Sequence, residues 1–142
     1  MPDTLKNHGR QWTLWAYQEV SYADLVEATA VEIMDLPPNA MVVDGFVEVS
    51  EANNQGTSAV CDLGVTDGTT PAPTQFTTDT DIATVAAAKF ALANVAVPTG
   101  DGLKVIATAT LVGGAATAGT FFVGVGYIMR NRANENQPTT FA

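Results

Sequence analysis

The chain has 142 residues, 46% of them hydrophobic and only 15% charged, with a formal net charge of −9. That length fits one domain able to hide roughly two-thirds of its unfolded surface, and its hydrophobic balance is the reverse of a disordered chain. The negative charge excludes a nucleic-acid wrapper, which needs Lys and Arg against phosphates, and it disfavours an anionic membrane surface.

Residues 1–10, MPDTLKNHGR, are polar, include Pro2 and Gly9, and read as a flexible N-terminal arm with no secretory signal. Residues 11–20 follow as a strand rich in aromatics. Trp12, Leu14 and Ala16 share one parity, and Trp15 and Tyr17 share the other. The two Trp residues are expected to pack in a core or dock on a neighbour, with a sugar-stacking platform as the alternative. At 21–29, Ser21 can cap a short helix with Asp24 in its first turn.

Residues 30–36 alternate as a strand, Val31 and Ile33 against Glu32, Met34 and Leu36, and stop at Pro37-Pro38-Asn39. Residues 40–50 form another strand, in which Gly45 marks a bulge or a close approach. A turn cluster at 51–57 leads to the strand 58–66, which holds Cys61. As the single cysteine it has no intrachain disulfide partner, and it reads as an ordinary buried thiol. Residues 67–73 read as an irregular loop and 74–81 as a polar continuation. Ala-rich 82–92 reads as a short helix or turn over 81–86 and then extended chain.

The segment 101–132 is the centre of the domain. Leu103, Val105, Ala107, Ala109 and Leu111 fall on one face of a strand. Ile106 interrupts the opposite face, so that face is not wholly wet. After the small-residue stretch GGAATAG, Phe121, Val123, Val125 and Tyr127 face one way and Phe122, Gly124, Gly126 and Ile128 the other. The two runs read as an antiparallel hairpin with a longer loop. Gly124 and Gly126 flatten the outer face, so that another backbone or a subunit can approach closely. After Arg132 the tail 133–142 is polar apart from Phe141.

These elements give an all-β, antiparallel sandwich or jelly-roll-like domain over 11–132, with about seven to eight strands and at most one short helix. Chemistry is hard to place on it. The only histidine is His8, in the arm, where no catalytic base is held in reach of a target. One Cys and one His cannot make a zinc site. Asp62, Asp67, Asp79 and Asp81 around one loop are read as turn-forming carboxylates, with calcium as the lesser alternative. The expectation is therefore no enzyme, no cofactor and no metal. The charge is unevenly placed: Lys6, Arg10, Arg130 and Arg132 lie near the ends, while Lys89 and Lys104 are the only basic residues between 11 and 129. The ends are thus candidates to touch an acidic neighbour.

Four segments, taken in order, carry a resemblance. They are SYADL at 21–25, DLPPNAMVVDGFVEV at 35–49, CDLGVTD at 61–67 and TATLVGGAATAGTFFVGVGYIMRNRANENQ at 108–137. Together they resemble the capsid decoration, or cement, proteins of tailed bacteriophages; residues 1–10 and 74–92 lie outside the match. The resemblance implies a β-sandwich homotrimer on the outer surface of an icosahedral head, made in the host cytoplasm and bound to the major capsid protein, with no catalytic residues. On that reading the contact residues toward capsid or oligomer are Lys6, Arg10, Trp12, Trp15, Gly124, Gly126, Arg130 and Arg132. The alternatives are a β-sandwich module for host glycans, reading sugars through Trp12, Trp15 or Tyr22, and a tail or head-completion component.

Overall fold

The computed structural model describes residues 12–92, 96 and 99–129. Eight strands account for most of them: β1 (Leu14–Ser21), β2 (Ala30–Asp35), β3 (Ala40–Glu51), β4 (Ser58–Thr66), β5 (Pro71–Asp81), β6 (Ala87–Lys89), β7 (Lys104–Val112) and β8 (Thr120–Met129). They form two four-stranded sheets, ordered β1-β8-β3-β6 and β2-β7-β4-β5. Pairing is antiparallel and nested: β1 with β8, β2 with β7, β3 with β6 and β4 with β5. A long hairpin folded at the β4–β5 turn and rolled on itself produces this order, which is the winding of a jelly roll.

That winding corrects the hairpin expected over 101–132. β7 and β8 follow one another in the chain but belong to opposite sheets. β7 lies between β2 and β4, and β8 between β1 and β3, so each is an interior strand of its own sheet. The stretch GGAATAG is therefore a crossing between layers. Asn54 holds it: its side-chain oxygen accepts from the Thr117 and Ala118 N–H groups at 2.8 and 3.1 Å, and its amide donates to the Thr117 hydroxyl at 2.8 Å. The alternation read for each run holds. Leu103, Val105, Ala107 and Ala109 are buried from one sheet, and Phe121, Val123 and Val125 from the other. Ile106 is also buried, beside Gly64 on the outer face of its sheet.

Three further expectations change. The segment 71–81 is a strand, not a loop. It lies at the edge of its sheet, where Pro71 and Pro73 interrupt no central ladder. Its polar residues stay outside, while Phe76 points inward and is buried. In β2 the register shifts between Glu32 and Met34, so Val31 and Met34 face Ala107 and Val105 across the ladder. The bulge breaks the simple alternation read for this strand. The short helix expected after Ser21 is one 3₁₀ turn, Tyr22–Asp24. The Asp24 carboxylate accepts from the Ser21 N–H at 2.8 Å and its hydroxyl at 3.0 Å. After β5 the chain bends and β6 follows, in keeping with the turn-then-extended reading.

Phe76 and Phe90 stack in the core with centroids 4.8 Å apart and planes at 8°. Phe90 lies over Gly45, where a Cβ would enter its ring. Gly45 thus answers to the close approach read from the sequence, with a register shift two residues earlier, between Val42 and Asp44.

Cys61 is buried between the sheets. Desolvation, reinforced by the Asp62 carboxylate, pushes its thiol up to about 12. Unfolded chains ionise this thiol from its ordinary value of 9.0 while the folded state keeps the proton, so stability should fall as pH rises from about 9 toward 12, by at most about 1.4 kcal/mol per pH unit. Lys104 acts in the same direction: the Glu32 hydrogen bond raises its pKa, and that contribution disappears as the ammonium loses its proton. Urea unfolding at pH 8 and pH 11 tests this, and a thiol reagent at neutral pH should label Cys61 only after unfolding. Rapid labelling of the folded protein would contradict the burial.

Candidate functional site

The outer face of the β1-β8-β3-β6 sheet is where the molecule departs from an ordinary jelly-roll exterior. The ladders set its residues in rows. Trp15, Gly126 and Asp44 make one row. Tyr17, Gly124, Phe46 and Lys89 make the next, and Glu19, Phe122, Glu48 and Ala87 the third. Ile128 and Met41 extend the face toward the end where β1 begins and β8 stops.

The rings on this face touch one another. Phe46 is the hub: the Trp15 ring lies 6.0 Å from it at 44°, and the Tyr17 ring 5.5 Å from it, edge on. Tyr17 also reaches Phe122 at 6.1 Å. The glycines make room for this cluster. A Cβ on Gly124 would enter the Phe46 ring, and one on Gly126 would come within 3.1 Å of the Trp15 ring. Gly124 and Gly126 are therefore buried beneath the protein's own aromatics. The flat face expected to admit another backbone or a subunit is thus filled by side chains of the same chain. In the structure, whatever approaches this face meets the rings that the glycines seat.

The rings remain open to solvent. Trp15 is 50% exposed and Tyr17 58%; Trp12, which precedes β1, is 71% exposed. Core packing, one of the readings of the two Trp residues, is thereby set aside for the single chain, and docking or sugar stacking remain. Tyr22 is also exposed, but it lies past the end of β1 in the 3₁₀ turn. A contiguous apolar patch of this kind on a protein exterior marks an interaction surface. Its rim is acidic, with Glu19 and Glu48 at one end and Asp44 at the other. Lys89 is the cation within it, 3.8 Å from the Asp44 carboxylate.

The sequence contains a signal for this face that the reading missed. Trp15 and Tyr17 share the parity of Glu19, and Phe46 sits between Asp44 and Glu48 at spacings of two. Carboxylates on a ring's own parity mark the outer side of a strand. Tyr17, Phe46 and Phe122 belong to the site on this ground. Lys6, Arg10, Arg130 and Arg132 lie outside the described residues, as do His8 and both end segments.

The aspartate loop does turn chemistry. Asp67 accepts from the Thr69 and Thr70 N–H groups at 2.8 and 2.7 Å, and these bonds hold its pKa below the ordinary value. Asp62 accepts from the Asp79 N–H at 2.7 Å, where Asp79 takes a positive φ, and Asp81 accepts from Ala83 at 2.8 Å. A groove of about 250 Å³ between β1 and β2 is lined by Glu19, Asp24 and Glu32 with Val20 and Ile33. Asp24 is bonded to Ser21, and Glu32 is bonded to Lys104 at 2.6 Å. The lining contains no nucleophile–base pair of the kind covalent catalysis needs.

No family model and no curated protein matches the sequence. Solved structures do match. A chain in the cyanophage Pam1 capsid asymmetric unit aligns over 91% of this chain and 92% of its own, at 16% identity and a TM-score of 0.66. One in the capsid of Ralstonia phage GP4 aligns over 93% of each, at 12% identity and 0.64. One in the acid-stable capsid of Helicobacter pylori bacteriophage KHP30 aligns over 82% of this chain and 87% of its own, at 18% identity and 0.58. The protein thus shares its fold, nearly end to end, with chains in three phage capsid structures.

Proposed function

We propose that the protein is a non-enzymatic structural component of a phage virion, a decoration protein that binds the outside of the head as a homotrimer and reinforces it. The observation that supports this most is the pairing of a near-full-length fold match to capsid structures with an aromatic outer sheet face. A decoration protein works by buried contact area, not by a pocket. A standard interface buries about 1,600 Å² in total, and repetition over a symmetric shell multiplies a modest contact through avidity. On this reading the major capsid protein is the partner, and Lys6 and Arg10 make contacts to it. Arg130 and Arg132 act within the oligomer.

Deleting residues 1–10 should weaken attachment to heads stripped of the native protein by about tenfold or more. The body should keep its melting temperature, because no described strand is removed. Undiminished binding by the deletion variant in a sedimentation assay would refute the role given to Lys6 and Arg10.

The exposure of Trp15 and Tyr17 also supports a second reading, a module for host surface glycans. The rings lean on Phe46 at 44° and 61°, forming a wedge instead of a flat platform. Titration of Trp fluorescence with a panel of oligosaccharides separates the two: the decoration reading expects no saturable change.

A further inference from the structure

The acidic rim of the aromatic face limits what can cover it. A face-to-face pair of copies would set two acidic rims, each of Glu19, Asp44 and Glu48 with Lys89 as the cation among them, against one another, a net unfavourable meeting of like charges. The occupant must carry cations and tolerate aromatic rings. Among the described residues the cations are Lys89 and Lys104, and each already faces a carboxylate, Asp44 or Glu32. The chain's other cations flank the described body: Lys6 and Arg10 before it, Arg130 and Arg132 after it. The arginines of the second pair begin directly where β8 stops, two positions apart, so the body fixes their point of departure closely. That point adjoins the Trp15 row of the same face, since Leu14 pairs with Tyr127 and Ala40 with Met129. β8 runs out of the sheet there, and covering its own face would require an immediate reversal of the chain.

We propose that the aromatic face of one copy receives the arginine-bearing segment 130–142 of a neighbouring copy. The Arg130 and Arg132 guanidiniums stack on Trp15 and Tyr17 and pair with the acidic rim of Glu19, Asp44 and Glu48. Guanidiniums suit this surface because they meet both an aromatic face and a carboxylate fork. The contact joins unlike surfaces, and such a contact builds a ring, a trimer among them, when the rotation between neighbouring copies closes. The proposal shares the oligomer with the decoration reading but does not depend on the capsid.

The test is the mass and Trp exposure of the full chain, since both Trp residues, Trp12 and Trp15, precede or occupy the face. By light scattering the wild type should be a multiple of the 14.8 kDa chain, with its Trp emission shielded from acrylamide. The double variant Arg130→Ala/Arg132→Ala should fall to a single-chain mass, lose that shielding and keep its circular dichroism. Glu19→Lys/Glu48→Lys should do the same from the other side of the contact, and 1 M salt should weaken the wild-type assembly by shortening the Debye length to about 3 Å. An arginine variant of unchanged mass and shielding overturns the proposal, as does a wild type that is monomeric, whether its Trp residues are shielded or open. Head binding is not read in this experiment, so the decoration reading stands or falls separately.

Discussion

Phe76→Ala should cost about 3–5 kcal/mol of folding stability, the usual range for emptying a buried aromatic site. That is a large share of the about 5–15 kcal/mol that holds a domain together. Phe76 is the inward residue of an otherwise polar edge strand, and its ring lies flat against Phe90. Phe90 in turn is set over Gly45, with its N–H donating to the Gly45 carbonyl at 2.9 Å. The Ala91 N–H donates to the Phe76 carbonyl at 3.0 Å, so the backbone fixes both rings. Removing Phe76 leaves a cavity that neither neighbour can fill without breaking these bonds. Urea unfolding should show a lower midpoint at an unchanged slope. A cost under about 1 kcal/mol would mean that the stack does not pin β5 to the core.

Trp15→Ser/Tyr17→Ser should have the opposite profile. The two rings are half or more exposed, so the fold should survive with little change. Self-association should weaken by about 30-fold or more, the effect of losing a contact worth at least 2 kcal/mol. Attachment to heads should fall with it, because avidity is lost when the oligomer separates. Circular dichroism, light scattering and co-sedimentation read the three consequences. A variant that unfolds would place the rings in the core after all. A folded variant that keeps its oligomer would remove the aromatic face from the interface.

Much of this architecture can be read from the residues, where one physical signal dominates. In β7 and the residue before it, the parity of Leu103, Val105, Ala107 and Ala109 decides which side is dry, and burial follows it. In β8 the small outer residues Gly124 and Gly126 mark a place of close approach, but parity cannot say what approaches. The answer, Trp15 and Phe46, comes from β1 and β3, distant in the chain and adjacent only through the ladder register. The expected β7–β8 hairpin failed for a related reason. Sequence neighbours pair readily within one sheet, whereas in this jelly roll every connection except β4–β5 crosses between layers. β5 was hidden because an edge strand needs few apolar residues and tolerates Pro71 and Pro73. The exposure of Trp15 follows from Glu19 sharing its parity, a signal weaker than the pull of a large ring toward a core.

The central claim is that this jelly roll attaches to the outside of a phage head. The most direct measurement is sedimentation of the purified chain with heads stripped of their native copy, followed by imaging of the pelleted particles. The account predicts saturable binding, with density on the outer surface in threefold clusters that fit the β1-β8-β3-β6 and β2-β7-β4-β5 sandwich. A folded protein that stays in the supernatant, or density confined to the inside of the shell or to the tail, would contradict it.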